Sequence, residues 1–248
     1  MRYGLSKWLW IPLLSLSAVF SVKADTLLLT SLDWPPYSGD GLAEKGASIA
    51  VVKAAVEAMG HELVVEFYPW SRAVHLAKED SKYSGYFPEY FFEDNSLLFS
   101  DSIGTGPLGF AENVANPVQW SVLDDLKPYT IGVVRDYVNT PELDNMIAQG
   151  QLLSSAVKRV DVQNLQKIAK GRVPLAVIDS NVFNYLKNND PSLTADKDKL
   201  QMNKQLLVEK DLHIAFRNDP QGQKWQAIVN EGLKKIDINQ IMNSYMSK

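Results

Sequence analysis

Residues 26–37 read TLLLTSLDWPPY, an apolar run that stops at a loop holding two prolines and two aromatic side chains. Such a run is typical of a short buried strand, and the prolines prevent a central strand from continuing through them. Helical spacing of apolar residues follows at 49–59, Gly60 is a suitable stop, and residues 63–67 predict a second strand. Strand, helix and strand at this spacing indicate an α/β unit with parallel strands.

A second unit of the same kind follows later in the chain. Thr140-Pro141-Glu142 has the order of a helix start, with a capping residue and then proline at the first helical position. The other predicted elements are strands at 129–134, 157–160, 175–178 and 212–216 and helices at 164–169, 182–186 and 225–236. The pattern predicts two α/β lobes and does not give their pairing.

The first 24 residues have the order of a secretory signal peptide. Arg2 and Lys7 supply a positive start, residues 8–22 are apolar, and small residues precede a cut after Ala24. The alternative is a membrane anchor, but about 20 apolar residues are needed to span a bilayer. We therefore expect a chain that is exported to a bacterial periplasm and cleaved after Ala24.

Composition excludes several classes of function. The 248 residues include no cysteine, which excludes a disulfide scaffold, a thiolate zinc site, an iron–sulfur cluster and a cysteine nucleophile. The formal charge of −4 argues against a nucleic-acid partner, since such proteins are normally basic. The three histidines, His61, His75 and His213, lack the spacing of metal ligands, so no metal site is predicted.

Gly104, Gly106 and Gly109 match the glycine spacing of a dinucleotide-binding loop. The context does not fit, because Pro107 lies inside the motif and residues 110–114 have the pattern of a strand where a helix is required. This stretch is better interpreted as a crossover between lobes. The sequence therefore predicts no cofactor.

Aromatic residues at loops and strand ends are the first candidates for a binding site, since parallel α/β sheets place their ligand crevice there. Trp34, Tyr37, Trp70 and Tyr86 are such residues. A core role is the alternative, and for Tyr90, Phe91 and Phe92 the sequence favours neither reading.

Charged and polar residues at the same kind of position are the second set of candidates: Arg72, Glu89, Arg135, Thr140 and Asp179. An arginine fork suits a carboxylate and an aspartate in a crevice suits an ammonium group. The free N–H groups of the helix at Thr140 suit an anion.

The order of these elements resembles the polar-amino-acid class of bacterial extracellular solute-binding proteins, which have the periplasmic type II binding fold. The resemblance covers residues 25–248. Its marks are Asp33-Trp34-Pro35-Pro36-Tyr37, Gly46, Pro69-Trp70-Ser71-Arg72-Ala73, Phe99-Ser100-Asp101, Ile131-Gly132-Val133-Val134 and the stretch from Gly171 to Asp179.

The resemblance implies two Rossmann-like lobes with mixed, mostly parallel sheets, joined by two crossover strands. Lobe 1 would be 25–106 plus 212–248 and lobe 2 would be 107–211. An aromatic side chain, here Trp34 or Tyr37, would stack on the ligand. Thr140 would contact a ligand carboxylate and Asp179 would receive an α-ammonium group.

One departure from the family pattern concerns the ligand carboxylate. The family usually places an arginine within a Thr-x-x-Arg-like piece before Phe-Ser-Asp, whereas Tyr90-Phe-Phe-Glu-Asp-Asn95 has none. A buried carboxylate without its fork would lose a strong charged hydrogen bond. Either Arg72 or Arg135 substitutes, or the ligand is not an ordinary amino acid.

The resemblance predicts a monomeric periplasmic solute-binding protein that captures a small polar, amino-acid-like ligand for an ABC-type permease, without catalysis. One alternative is an exported enzyme of dehydratase or lyase type, with Glu89, Glu93 or Asp101 as general acid or base. The other is an orphan ligand-sensing protein that docks on a membrane receptor.

Overall fold

The computed structural model describes residues 24–158 and 160–246. The predicted signal peptide therefore lies outside the described residues, apart from Ala24. No helix in the described ranges is long and apolar enough to cross a membrane.

Strands and helices alternate along the described chain, as the apolar patterns predict. The first elements are β1 (Thr26–Ser31), α1 (Ala47–Glu57), β2 (Glu62–Phe67), α2 (Trp70–Glu79), β3 (Gly85–Tyr90) and β4 (Leu97–Phe99). The middle elements are β5 (Gly104–Asn113), β6 (Thr130–Val134), α3 (Pro141–Ala148), β7 (Leu153–Val157), α4 (Val162–Ala169), β8 (Leu175–Asp179) and α5 (Ser180–Asn189). The last are β9 (Leu200–Arg217), α6 (Pro220–Leu233) and α7 (Ile238–Met246).

The strands form one mixed sheet in the order β2-β1-β3-β9-β5-β8-β6-β7, with β4 also paired to β9. Pairing is parallel within β2-β1-β3 and within β8-β6-β7, whereas β5 and β9 run antiparallel to their neighbours. The α/β fold with two crossover strands is thereby confirmed. We call β1–β4 with α1, α2, α6 and α7 the first half, and β6–β8 with α3–α5 the second half. The residue boundaries of the two lobes stay a prediction.

The crossover ladder between β5 and β9 is irregular at its middle. Gly104 to Leu108 pair in step with Leu212 to Val208, and the register then shifts on both sides of Gly109. Such irregularities bend a strand locally. Strands β5 and β9 are therefore expected to bend near Gly109, where they pass from one half to the other.

Three predicted elements differ from the structure. The strand predicted at 157–160 lies at β7 instead, because its ladder with β6 ends at Val157. The strand predicted at 212–216 is the end of the 18-residue β9, whose first part is polar and pairs with β5. The helix predicted at 225–236 begins earlier, where Asp219 accepts a hydrogen bond from the Gly222 N–H.

The buried core runs along both halves of the sheet. Leu27 and Leu29 on β1, Phe110 on β5 and Ile131 on β6 are fully buried. Helix α1 packs against α6 and α7, so the C-terminal helices complete the first half. Apolar burial of this kind is the main favourable contribution to folding.

Candidate functional site

The loop after β1 is fixed by the start of α1. The backbone carbonyls of Pro36 and Tyr37 accept hydrogen bonds from the N–H groups of Ala47 and Ser48, at 3.0 and 2.8 Å. Gly46 has φ 104°, and a Cβ there would lie 2.6 Å from the carbonyl oxygen of Tyr37. A glycine at 46 is therefore what lets the loop and the helix meet, which holds the Tyr37 ring in place.

Tyr37 reaches from the first half to the second. Its hydroxyl donates to Oδ2 of Asp179 at 3.1 Å and accepts from Nδ2 of Asn181 at 2.8 Å. The other oxygen of Asp179 accepts from the N–H groups of Asn181 and Val182, so this carboxylate also caps α5. Burial raises the pKa of Asp179 to about 7, and these hydrogen bonds partly counteract it.

A second contact joins the halves at the start of α2. The indole N–H of Trp70 donates to the backbone carbonyl of Asp136 at 3.1 Å, and the hydroxyl of Ser71 donates to the Asp136 carboxylate. Trp70 also meets Tyr137 edge-on, with ring centroids 6.3 Å apart. The segment that follows β6 is thus tied to the first half.

A cavity of about 30 Å³ lies beside these contacts. Its walls come from both halves and include Trp34, Trp70, Glu89, Tyr90, Tyr137 and Leu212. This volume holds about one or two water molecules, whereas ligand pockets in proteins measure about 300–1,000 Å³. A small ligand therefore fits only when the two halves move apart.

The tryptophans of the cavity are supported from behind by tyrosines. Trp34 stacks on Tyr37 with centroids 4.7 Å apart and meets Tyr90 edge-on at 6.1 Å. Trp70 packs edge-on against Tyr86 at 5.4 Å. Tyr37 and Tyr86, both predicted as site residues, therefore position the aromatic walls without being among the residues that line the cavity.

Buried carboxyl groups surround the same aromatic cluster. Burial raises the pKa of Glu89 to about 8, against the lowering effects of the Tyr90 N–H, Lys210 and Lys78. Burial likewise raises the pKa of Asp161 to about 7, with Asp179 adding to the rise and the Trp34 side chain opposing it. Because their pKa values are raised, these carboxyl groups stay protonated to a higher pH than exposed ones. A nearby cation would favour their charged forms.

Two hydroxyl groups at the cavity are buried without a hydrogen-bond partner among the described residues. They belong to Tyr90 and Tyr137, and Tyr90 is only 6% exposed. Buried polar groups in folded proteins are nearly always hydrogen-bonded. These two phenols are therefore free to bond to a ligand.

The structure brings some predicted site residues together and leaves others apart. Trp34, Trp70 and Glu89 line the cavity, and Tyr37, Tyr86 and Asp179 lie behind it. Thr140 caps α3 through a 3.2 Å hydrogen bond from the Leu143 N–H, as its sequence context predicts. Its contact with a ligand stays a prediction.

Neither predicted substitute for the family arginine reaches the cavity. Arg72 is exposed, with its guanidinium over the Tyr68 ring at 5.2 Å, and Arg135 is exposed after β6. A cation that does lie close by is Lys210 on β9, whose Nζ is 4.9 Å from the Tyr90 ring centroid; its polar surroundings in the sequence do not mark it as a site residue. Tyr137 and Asp161 were not predicted either, although they follow strands β6 and β7 and thus share the strand-end position of the predicted site residues.

Solved structures share this architecture at low sequence identity. A histidine kinase sensor domain with similarity to periplasmic binding proteins has TM-score 0.72 and 16% identity, over 90% of this chain and 94% of that one. An ancestral arginine-binding protein bound to glutamine has TM-score 0.70 and 17% identity, over 90% and 98%. The GluR0 ligand-binding core from Nostoc punctiforme, in complex with L-glutamate, has TM-score 0.68 and 16% identity, over 88% and 96%.

These likenesses confirm the expected periplasmic-binding-protein fold over most of the chain. No protein-family model and no curated protein sequence matches the chain.

Proposed function

We propose that the protein is a periplasmic solute-binding protein that captures a small polar, amino-acid-like ligand between its two halves. The observation that carries the proposal is the cavity whose walls come from both halves and whose buried Tyr90 and Tyr137 hydroxyls have no hydrogen-bond partner in the described part of the chain. Solved proteins of the same fold, at 16–17% sequence identity to this chain, are bound to glutamine, L-glutamate or arginine. Binding shifts an open–closed equilibrium by its greater affinity for the closed form.

The proposed partner is a membrane component that receives the loaded form of a monomer. An ABC-type permease is the first candidate, since neighbours of this fold include amino acid ABC transporter substrate-binding proteins. A membrane sensor is the second, because a histidine kinase sensor domain has the same fold. The partner does not alter the ligand site that the proposal requires.

A thermal-shift screen of the purified chain against amino acids, amines and other small polar solutes tests the proposal. We expect at least one compound to raise the melting temperature, because a ligand that binds only the folded state stabilises it by mass action. The hit is then measured by calorimetry with Trp34→Ala, and with Phe91→Ala as the matched control, since Phe91 is an exposed aromatic outside the cavity.

Loss of affinity is expected only for Trp34→Ala. If no compound stabilises the chain, or if both variants lose affinity equally, the proposed site is wrong. The enzyme alternative is separated by mass spectrometry of the ligand after long incubation, since a binding protein releases the ligand unchanged.

A further inference from the structure

The charge of the cavity wall is of one sign. Glu89 is the one charged residue among the described residues that line the cavity, and it is 6% exposed. Asp161 and Asp179 are buried close behind, next to Trp34 and Tyr37. A ligand carboxylate placed here would meet these acidic groups and no guanidinium of the described residues, which is unfavourable in a buried site.

The two indole rings of the walls offer π surface, because their N–H groups are already engaged. The indole N–H of Trp70 is already used by the backbone carbonyl of Asp136, and the Trp34 side chain interacts with Asp161. Aromatic faces attract cations, tryptophan most strongly. The walls therefore favour a positively charged group next to Glu89.

The protein already places one cation on this cluster. Nζ of Lys210 lies 4.9 Å from the centroid of the Tyr90 ring, and its charge acts on Glu89. Lys210 stands on the crossover strand β9 and is not among the residues that line the cavity. The Tyr90 ring and Glu89 thus already interact with one alkylammonium group, that of the Lys210 side chain.

The unpartnered phenols complete the recognition of such a group. An alkylammonium group has three N–H donors. The Glu89 carboxylate and the Tyr90 and Tyr137 hydroxyl oxygens are acceptors on the wall of one cavity. A quaternary ammonium group, which has no N–H, would leave both phenols unsatisfied.

On the premise that the chain is a solute-binding protein, we propose that its ligand is a small alkylamine without a carboxylate, whose ammonium group lies against Trp34, Trp70 and Tyr90 and is neutralised by Glu89. The ligand is thus the amine counterpart of an amino acid. Lys210 is the tethered competitor for the same aromatic and carboxylate groups.

Calorimetry with matched pairs tests the proposal: 1,4-diaminobutane against ornithine, ethanolamine against serine, and histamine against histidine, with choline as a quaternary probe. We expect at least one amine to bind ten-fold or more tightly than its parent amino acid and than choline. Parents that bind as tightly as their amines, or choline that binds more tightly than the amines, would overturn it. In those cases the proposal of an amine ligand is wrong, but the proposed function as a solute-binding protein stands. The proposed function fails only if no solute of the wider screen binds.

Two variants give independent readouts. Glu89→Gln is isosteric and should weaken amine binding at least ten-fold, whereas Glu79→Gln, at an exposed position at the end of α2, should leave it unchanged. Lys210→Met should strengthen amine binding several-fold because the competing cation is gone. If Lys210→Met instead abolishes binding of an amino acid, Lys210 is a carboxylate anchor and the proposal is wrong.

Discussion

The hydroxyl of Tyr37 lies 3.1 Å from Oδ2 of Asp179, although the two residues are 142 positions apart in the chain. Gly106 on β5 makes room for this contact, because a Cβ at that position would lie 2.1 Å from Oδ2 of Asp179 and 2.6 Å from the Tyr37 hydroxyl. A strand, a loop and a helix cap thus meet at one point between the halves.

Removing the hydroxyl in Tyr37→Phe should lower the free energy of unfolding by about 1–3 kcal/mol, because Asp179 and Asn181 then lose a buried partner. It should also make the halves open more often. Urea unfolding and small-angle scattering measure the two effects, with Tyr129→Phe as the control tyrosine. An unchanged unfolding curve would mean that the contact contributes nothing to the closed form.

Gly106→Ala should also destabilise the chain, by about 1–3 kcal/mol, because the added methyl overpacks the Tyr37–Asp179 contact. Gly41→Ala is the matched control, since nothing lies within 4 Å of a Cβ at that position. Thermal unfolding of both variants is the measurement. Equal melting temperatures for the two would contradict the close approach described for Gly106.

The free chain should be most stable near about pH 5 and lose stability as the pH rises towards 8. Burial raises the pKa of Glu89 to about 8 and those of Asp161 and Asp179 to about 7, so the folded state binds more protons than the unfolded state in this window. Each group contributes a slope of at most about 1.4 kcal/mol per pH unit.

Urea unfolding at several pH values measures this slope, and Glu89→Gln should flatten it because one of the three groups no longer titrates. Below about pH 4 the sign reverses, since the lowered pKa values of Glu66 and Asp94, both about 2, favour the folded state only while those groups are ionised. A stability that rises from pH 5 to 8 would show that the buried carboxyls are not desolvated.

Thr140→Ala should cost about 1 kcal/mol of stability, the usual value of a helix N-cap, and Thr140→Ser should restore most of it. Ligand affinity should stay unchanged in both variants, since an amine has no carboxylate for Thr140 to contact. Chemical denaturation and calorimetry provide the two readings. A selective loss of affinity in Thr140→Ala would give Thr140 the carboxylate contact that the family resemblance implies.

Ligand binding should change the intrinsic fluorescence of the chain, because Trp34 and Trp70 line the cavity whereas Trp225 is buried elsewhere, edge-on to His61. The change should largely disappear in Trp34→Phe plus Trp70→Phe and persist in Trp225→Phe. A titration followed by fluorescence measures it. A signal that depends on Trp225 instead would place the ligand outside the cavity.

The sequence predicted those features that depend on local pattern. The apolar runs of β1, β6 and β8 and the Thr140 cap are visible because burial and capping leave their mark within a few residues. The long first part of β9 was missed since most of its residues are polar, although its backbone pairs with β5. Helix α7 was missed as well; Met242 is the one residue of this helix that is buried.

The candidate site was predicted in part for a related reason. Trp34, Trp70 and Glu89 stand at element ends, which sequence reasoning identifies, but the direction of a side chain does not follow from that position. The position of Arg72 at the start of α2 therefore makes it a candidate, yet its side chain is exposed on the surface. Lys210, which contacts Tyr90, lies in a polar stretch of sequence that gives no such signal. Gly106 was predicted to lie in a crossover because the dinucleotide-binding motif did not fit. The reason for a glycine there is that a side chain would collide with Asp179, which is far away in the sequence.

The path of β9 has a consequence for the order in which the chain can fold. The strands β6, β7 and β8 and their helices are contiguous in sequence, so the second half finds most of its neighbours locally. The first half is split: β3 pairs with β9, and α1 packs against α6 and α7 near the C-terminus. A nascent chain therefore carries a β3 edge without its β9 partner until β9 has been made, and an unpaired strand edge of this kind is open to association with other chains.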